Sequence, residues 1–325
     1  MMRISIKNIA LFFILILLAS TALGDGNGGQ PAAFKTMALG GRPSAMGGAF
    51  TAIAEGGAAL LYNPAGITQT RKHIISFSYR AMHLDRRLGY ANFQMPTREM
   101  AAFGVTWVHA GTSPLEERDN QGNILPGFET TYSENLLGAT FAKLIGRSLS
   151  IGGKAYYIQN TVSNINAYTV GIDFGGLYKM DVRKTSLKNI FPLLRFGLVV
   201  ENLGASYKWT TGNYWLTRGS ERGATYEEKF PINYRAGIAF ENPDKYILSA
   251  DFEVNSESQS KFHVGGEYSY QKMLFLRAGL NDGRPTFGSG FLKRFTSFAL
   301  AIDISYLTDR VGEGDDILVS FDVIL

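Results

Sequence analysis

The sequence predicts an all-β protein: a transmembrane antiparallel β-barrel of about 14 strands with an N-terminal plug segment in its lumen. Three observations carry this. From residue 73 to the end, apolar and polar residues alternate in one run after another, the period-two signature of strands. Ahead of those runs, residues 39–67 read LGGRPSAMGGAFTAIAEGGAALLYNPAGI, a stretch dominated by Gly and Ala. At the start lies a leader of the kind that sends a chain across a membrane.

Composition agrees. The chain has 37 Gly and 13% aromatic residues, with Tyr and Phe far outnumbering its 3 Trp. Of the formal charge of +4, Arg3 and Lys7 sit in the leader. The remainder is near neutral, so nothing argues for nucleic acid as a partner. With no Cys at all, thiolate metal sites, disulfides and cysteine nucleophiles are excluded.

Taken in order, residues 1–24 read as a secretory signal peptide. Arg3 and Lys7 give the positive start, Ile9 to Leu18 the apolar run, and Ala22-Leu23-Gly24 the small residues of a cleavage site. The apolar run falls short of the roughly 20 residues that a membrane-spanning helix needs. Residues 25–68 form the plug, opening on a flexible DGNGGQP. Gly40, Gly41, Gly47, Gly48, Gly56, Gly57 and Gly66 make a poor free-standing helix, because Gly loses the most backbone entropy on folding. Small side chains do suit a segment that must fit inside an existing wall. Tyr62-Asn63-Pro64-Ala65-Gly66 reads as a turn, with Pro64 holding Asn63 extended and Gly66 free to take positive φ.

Residues 69–325 form the barrel. Ile75, Phe77 and Tyr79 alternate with Ser76, Ser78 and Arg80, and Ile302, Ile304 and Tyr306 with Asp303 and Ser305. Such runs number about fourteen, many near the 9–11 residues that cross a bilayer when tilted. An even number returns both termini to one side. With that side periplasmic, the long gaps 111–132 and 202–230 fall outside, and 95–99, 145–147 and 242–245 make short inner turns. The inner connection 181–192 is longer than usual. Tyr90, Tyr157, Tyr168, Tyr178, Tyr246 and Tyr306 fall near strand ends, as an interfacial girdle requires.

The polar face decides between a membrane barrel and a soluble sandwich. A sandwich would solvate that face and fill it with Lys and Glu. Here it carries Gly, Ser, Ala and scattered charges of both signs, among them Arg80, Lys154, Asp173, Arg195, Arg235, Asp251, Glu267, Arg277 and Asp303. That set suits a crowded lumen where charges must pair. The expected surroundings are outer-membrane lipid and the barrel assembly machinery, with Phe321, Val323 and Leu325 as a terminal assembly signal.

The stretch GGRPSAMGGAFTAIAEGGAALLYNPAGI resembles the N-terminal signature of the PorV/PorQ family, within the wider FadL-type group of outer-membrane barrels. Asn63-Pro64-Ala65 is the triplet typical of FadL-type plugs. The resemblance is specific over 40–67; beyond it only the pattern and strand number agree. It implies a 14-stranded barrel with its N-terminal segment folded into the lumen, in the outer membrane of a Gram-negative-type bacterium. From the FadL side it implies a conduit for a hydrophobic small molecule, with Gly47, Gly48, Gly56, Gly57, Asn63, Pro64 and Ala65 forming the plug and Asn63-Pro64-Ala65 its switch. From the PorV side it implies an adaptor of the type IX secretion machinery, holding a secreted-protein tail at the outer rim.

The 202–230 loop carries Tyr207, Trp209, Tyr214, Trp215 and Tyr226. Such a loop either binds an apolar compound or folds over the barrel mouth and buries its own aromatics. Both hold if it is lid and receptor together, and Trp209, Tyr214 and Trp215 are the candidate ligand-binding residues.

Catalysis has little to work with, and no enzyme, cofactor or metal is expected. There are 4 His. His109 and Ser113 could serve a lipase, but no third residue or oxyanion donor can be named beside them. Asp309, Glu313, Asp315 and Asp316 could hold Ca²⁺, yet they read better as a solvated acidic loop. Gly47-Gly48 is followed by Ala49-Phe50 and not by the Lys-Ser/Thr of a phosphate loop.

Overall fold

A computed structural model describes residues 29–97, 100–119, 121–183, 190–212, 223–243, 245–308 and 314–325. The leader lies outside them. Among the described residues, eighteen strands follow the plug. They are β1 (Ile74–Ala81), β2 (Arg86–Pro96), β3 (Ala101–Thr112), β4 (Leu115–Arg118), β5 (Ile124–Thr130), β6 (Tyr132–Ile145), β7 (Leu149–Val162), β8 (Ile165–Asp181) and β9 (Leu193–Leu203). Then come β10 (Ser206–Thr210), β11 (Thr225–Lys229), β12 (Asn233–Asn242), β13 (Tyr246–Asn255), β14 (Ser260–Tyr270), β15 (Leu274–Asn281), β16 (Arg284–Arg294), β17 (Ala299–Leu307) and β18 (Asp316–Ile324).

Fourteen of these close into one antiparallel barrel, and β1 pairs with β18 to seal it. The Leu325 amide donates to the His73 carbonyl at 2.9 Å, so the last residue is tied beside the first strand. The other four strands form two separate hairpins, β4–β5 and β10–β11, inserted in the two long gaps. Both hairpins lie at the end of the barrel opposite the one where β1 begins and β18 ends, the loop end, as the even strand number requires. Gln30, at the start of the plug, also reaches the loop end, where its amide donates to Gln259 in the β13–β14 turn.

Alternation sets which face each side chain takes. On β1, Ser76 and Ser78 are buried while Phe77 and Tyr79 stand half-exposed on the outside. The same outward row continues through Leu137, Phe141, Val170, Leu198 and Leu276. An apolar outer surface on a closed barrel is a surface for lipid. Among the described residues no helix is long and apolar enough to cross a membrane.

Tyr90 departs from the expected girdle. Its position on β2 pairs with Ser78, so its ring points into the lumen, where it is buried. The Tyr157, Tyr168, Tyr178 and Tyr306 rings do face outward. The last residues of the long inner connection after β8, 190–192, meet the wall: Phe191 packs on Phe240 and Tyr246, and the Tyr246 hydroxyl donates to the Ile190 carbonyl at 2.9 Å.

The plug is made of turns. A 3-10 turn (Ala33–Thr36), short helices at Gly41–Ala45 and Ala59–Tyr62, and a 3-10 segment (Pro64–Gln69) are joined by irregular backbone. Asn63 is extended, at φ −156° and ψ 110°, as a residue before Pro should be. Gly66 does not take the positive φ that the sequence suggested. It lies inside the 3-10 segment, and a Cβ there would collide with Ala54.

Candidate functional site: a plugged lumen and a capped mouth

Irregular backbone buried away from water must find its hydrogen bonds elsewhere. The barrel wall supplies them. Asp251 accepts the amides of Phe50 and Thr51 at 2.9 and 2.8 Å, and the Ser320 hydroxyl accepts that of Gly41 at 2.9 Å. Asn92 and Gln94 donate to the carbonyls of Gly57 and Ile67 at 2.8 and 3.1 Å, and Ser249 to that of Ala49 at 2.7 Å. Asn63 works both ways. Its Oδ1 accepts the Ala65 amide at 3.0 Å, capping the 3-10 segment, while its Nδ2 donates to Thr51 within the plug and to Gly176 on β8.

Contact this close needs missing side chains on both partners. On the plug, a Cβ at Gly47 would strike the Leu280 backbone, and one at Gly57 the Ser76 side chain. A Cβ at Gly56 would come within 2.9 Å of Asp322, and one at Gly48 within 3.2 Å of His263. The wall answers with its own glycines. Gly152 lies under Pro64, Gly175 under Asn63, Gly197 under Thr51, Gly265 under Met46 and Gly288 under Ala45. Four of these belong to cross-strand glycine pairs, Gly152 with Gly175, Gly197 with Gly237 and Gly265 with Gly279, each of which opens a flat seat two strands wide. The glycine-rich polar face of the strands is the imprint of the plug.

Charges complete the lock. Arg42 of the plug grips Glu267 through two hydrogen bonds of 2.8 and 2.9 Å and reaches Glu55 at 3.2 Å. Arg277 joins Glu267 and Asp303, each at 2.6 Å, and Arg195 joins Glu55 at 2.6 Å and pairs with Glu241. The result is a continuous ion-pair chain from β17 across the plug to β12. Arg42 and Glu55 were not singled out from sequence, though isolated charges in a Gly/Ala stretch were the available signal. Below this chain, at the end where β1 begins, lies a vestibule of about 390 Å³ bordered by the charged Arg42, Glu55 and Asp322 and by the apolar Ile74, Phe275 and Ile324.

The loop end is built differently. Leu88, Tyr90, Val108, Leu136, Tyr156 and Ile158 line its inner wall, and Phe34 and Leu39 of the plug form its floor. The β10–β11 hairpin closes it from above, inserting Tyr207 and Trp209, with Phe230 beside them. Tyr207 is fully buried, its ring meeting Phe230 edge-on at 4.8 Å and Trp209 at 5.5 Å. Trp209 is 8% exposed and donates from Nε1 to Glu228 at 2.9 Å. Of the three candidate capture residues, Trp209 therefore belongs to the cap over the mouth, and Tyr214 and Trp215 lie outside the described residues. The covering role of the loop is what the geometry displays.

The remaining candidates do not assemble a site. His109 Nδ1 lies 2.9 Å from Asn135 Oδ1, and its ring stacks at a tilt on Trp107; the Ser113 amide bonds to the Asp85 carbonyl. Asp316 pairs with Arg80, and Asp315 accepts from Tyr306, while Asp309 and Glu313 lie outside the described residues. No cluster of metal-ligating side chains occurs among the described residues.

A closed, fourteen-strand antiparallel barrel with its own N-terminal segment packed in the lumen is the class that fold and site define. No family model matches the chain, and neither does any curated protein. Solved structures do. The chain is similar to the CymD monoaromatic hydrocarbon channel, with a TM-score of 0.56, 13% identity, and 88% of this chain and 96% of that one covered. It is similar to a Pseudomonas aeruginosa FadL homologue, with a TM-score of 0.57 and 11% identity over 88% and 98% of the two chains. A TodX monoaromatic hydrocarbon channel variant gives 0.55 and 12% over 88% and 97%. At such identities the shared property is the fold, which is FadL-type. The PorV/PorQ part of the resemblance rests on residues 40–67 alone.

Proposed function

We propose that this protein is an outer-membrane conduit for a hydrophobic small molecule, taken up at the loop end and held above a fixed plug. The observation that carries the reading is the apolar cluster packed between plug and hairpin: it is roofed by a separate two-stranded element, so it can open without breaking a barrel pairing. An apolar molecule crosses a polar surface layer poorly, and an apolar site above the membrane lowers that barrier. The neighbouring folds agree, since two of them are named as monoaromatic hydrocarbon channels.

Passage straight down is opposed by the ion-pair chain, which an apolar molecule cannot solvate. A sideways route is chemically easier. Gly152, Gly153, Gly175 and Gly176 leave the wall only backbone thick between the Asn63-Pro64 turn and a lipid-facing hollow of about 570 Å³ lined by Phe141, Ile151, Phe174 and Leu198. The β7–β8 ladder is continuous there, so Asn63-Pro64-Ala65 would have to shift before it opens.

The test is uptake of small aromatics by proteoliposomes carrying the intact protein, beside a variant in which 206–229 is replaced by a short turn. Faster uptake by the variant supports a lidded conduit. Uptake no faster than that of empty liposomes, for both proteins, refutes it.

A further inference from the structure

We infer that the apolar cluster at the loop end, once the hairpin leaves it, selects a phenol-like ligand, a small aromatic ring bearing a neutral hydrogen-bond donor, seated where the Tyr207 side chain now lies. This rests on the reading of that cluster as the conduit's receiving site. Tyr207 does not belong to the barrel; it is delivered by the β10–β11 hairpin. Its ring occupies a pocket of aromatic edges and aliphatic wall, and its hydroxyl donates to Glu134 Oε1 at 3.0 Å. The hairpin thus inserts a phenol of its own.

Glu134 is the informative partner. It sits on β6 with 1% of its surface exposed. Two wall residues hold it: the Tyr132 hydroxyl and the Asn160 amide donate to it, each at 2.8 Å, and Asn160 is its register partner on β7. All three groups donate, so the carboxylate acts only as an acceptor. Among the described residues no Lys or Arg pairs with it. The nearby cations are committed elsewhere: Lys154 lies 2.8 Å from Asp173, and Lys35 bonds Asn202 at 2.6 Å and covers the Tyr156 ring.

When the hairpin lifts, Glu134 keeps its wall donors and loses the third. A buried acceptor left unmet is costly, and a guest that restores the donor is favoured over one that merely fills the shape. Phenols, anilines and small aromatic alcohols meet that demand. A hydrocarbon of the same shape leaves Oε1 with the Asn160 donation alone. An aromatic or fatty carboxylate brings a charge into a dry site that holds no Lys or Arg to pair with it among the described residues.

The experiment uses the full barrel in detergent, with Tyr207→Ala vacating the seat, titrated calorimetrically with p-cresol, toluene and p-toluate. p-Cresol should bind about tenfold or more tighter than toluene, with p-toluate weakest. Adding Glu134→Gln, which keeps the shape and removes the charge, should reduce the p-cresol advantage by about tenfold. Heat-modifiable gel mobility establishes that each variant is a closed barrel. In the unmodified protein the same order should appear in tryptophan fluorescence, because Trp209 lies 5.5 Å from Tyr207. Equal binding of toluene and p-cresol, p-toluate binding as tightly as p-cresol, or a preference indifferent to Glu134→Gln would each overturn the assignment. None of these readouts involves passage. If the preference holds while proteoliposome uptake is absent, the site stands and the conduit falls.

Discussion

The two ends of the lumen are built on opposite physical principles. At the loop end, aliphatic and aromatic side chains from β2, β3, β6 and β7 meet those of a hairpin, and contact is made side chain to side chain. At the plug, backbone lies on backbone over paired glycines, and buried backbone amides and carbonyls are met by side chains of the wall. Apolar contact is non-directional, so one occupant can replace another at modest cost. A glycine-seated, ion-paired plug tolerates neither an added methylene nor a lost charge. The first construction suits an exchangeable occupant and the second a stopper.

The severest way to break the comparison removes both ends together. Deleting 322–325 takes away the end of β18, its last three register pairs with β1 and with β17, and the Leu325–His73 bond. Strand edges that lipid cannot satisfy would result, so heat-modifiable barrel should be lost altogether. Normal assembly of the truncated chain would contradict the closure described here.

Gly57→Leu should act on the plug alone. The new side chain meets Ser76 at once and costs roughly 1–3 kcal/mol by overpacking. The wall, held by its own ladders, should insert at normal levels, while single-channel conductance and antibiotic sensitivity rise. Gly212→Ala, outside the plug and its seat, is the control, because a Cβ there meets nothing within 4 Å. If both variants conduct like the parent, the plug does not seal the lumen.

Arg42→Ala should be milder. It removes the hydrogen bonds to Glu267 and Glu55, but Arg277 and Arg195 still face those carboxylates. A loss of about 1.5–3 kcal/mol in plug docking is expected, read as faster proteolysis within 30–70 at unchanged barrel yield. Protection equal to the parent would show that the glycine seat holds the plug without the ion pairs.

Replacing 206–229 by a short turn should cost the barrel least, since β9 and β12 pair directly without the hairpin. The thermal transition should barely move while binding of an apolar fluorescent dye increases. A transition lowered as far as in Gly57→Leu would make the mouth cluster a structural core and erase the contrast between the two ends.

The sequence alone determined the properties that depend on chain and solvent. Period-two alternation around a closed wall needs only lipid outside and a crowded interior within, so the strand number, the side of each long loop and the seating of 39–67 in the lumen were legible. Asn63 took its extended backbone because Pro64 requires it locally. What a side chain meets across the lumen was decided only by closure of the barrel. Tyr90 looked like a girdle residue because a Tyr near a strand end reads alike on either face; its register with Ser78 turns it inward. Gly66 is glycine for the proximity of Ala54, twelve residues earlier in the chain and adjacent only once the plug is folded. Trp209 could have faced water or the mouth, and the pairing of β10 with β11 settles which. Glu134 gave no sequence signal at all, because its three donors come from its own strand, the next strand and a hairpin more than seventy residues away. Alternation is a local property, whereas these contacts exist only between segments that closure brings together.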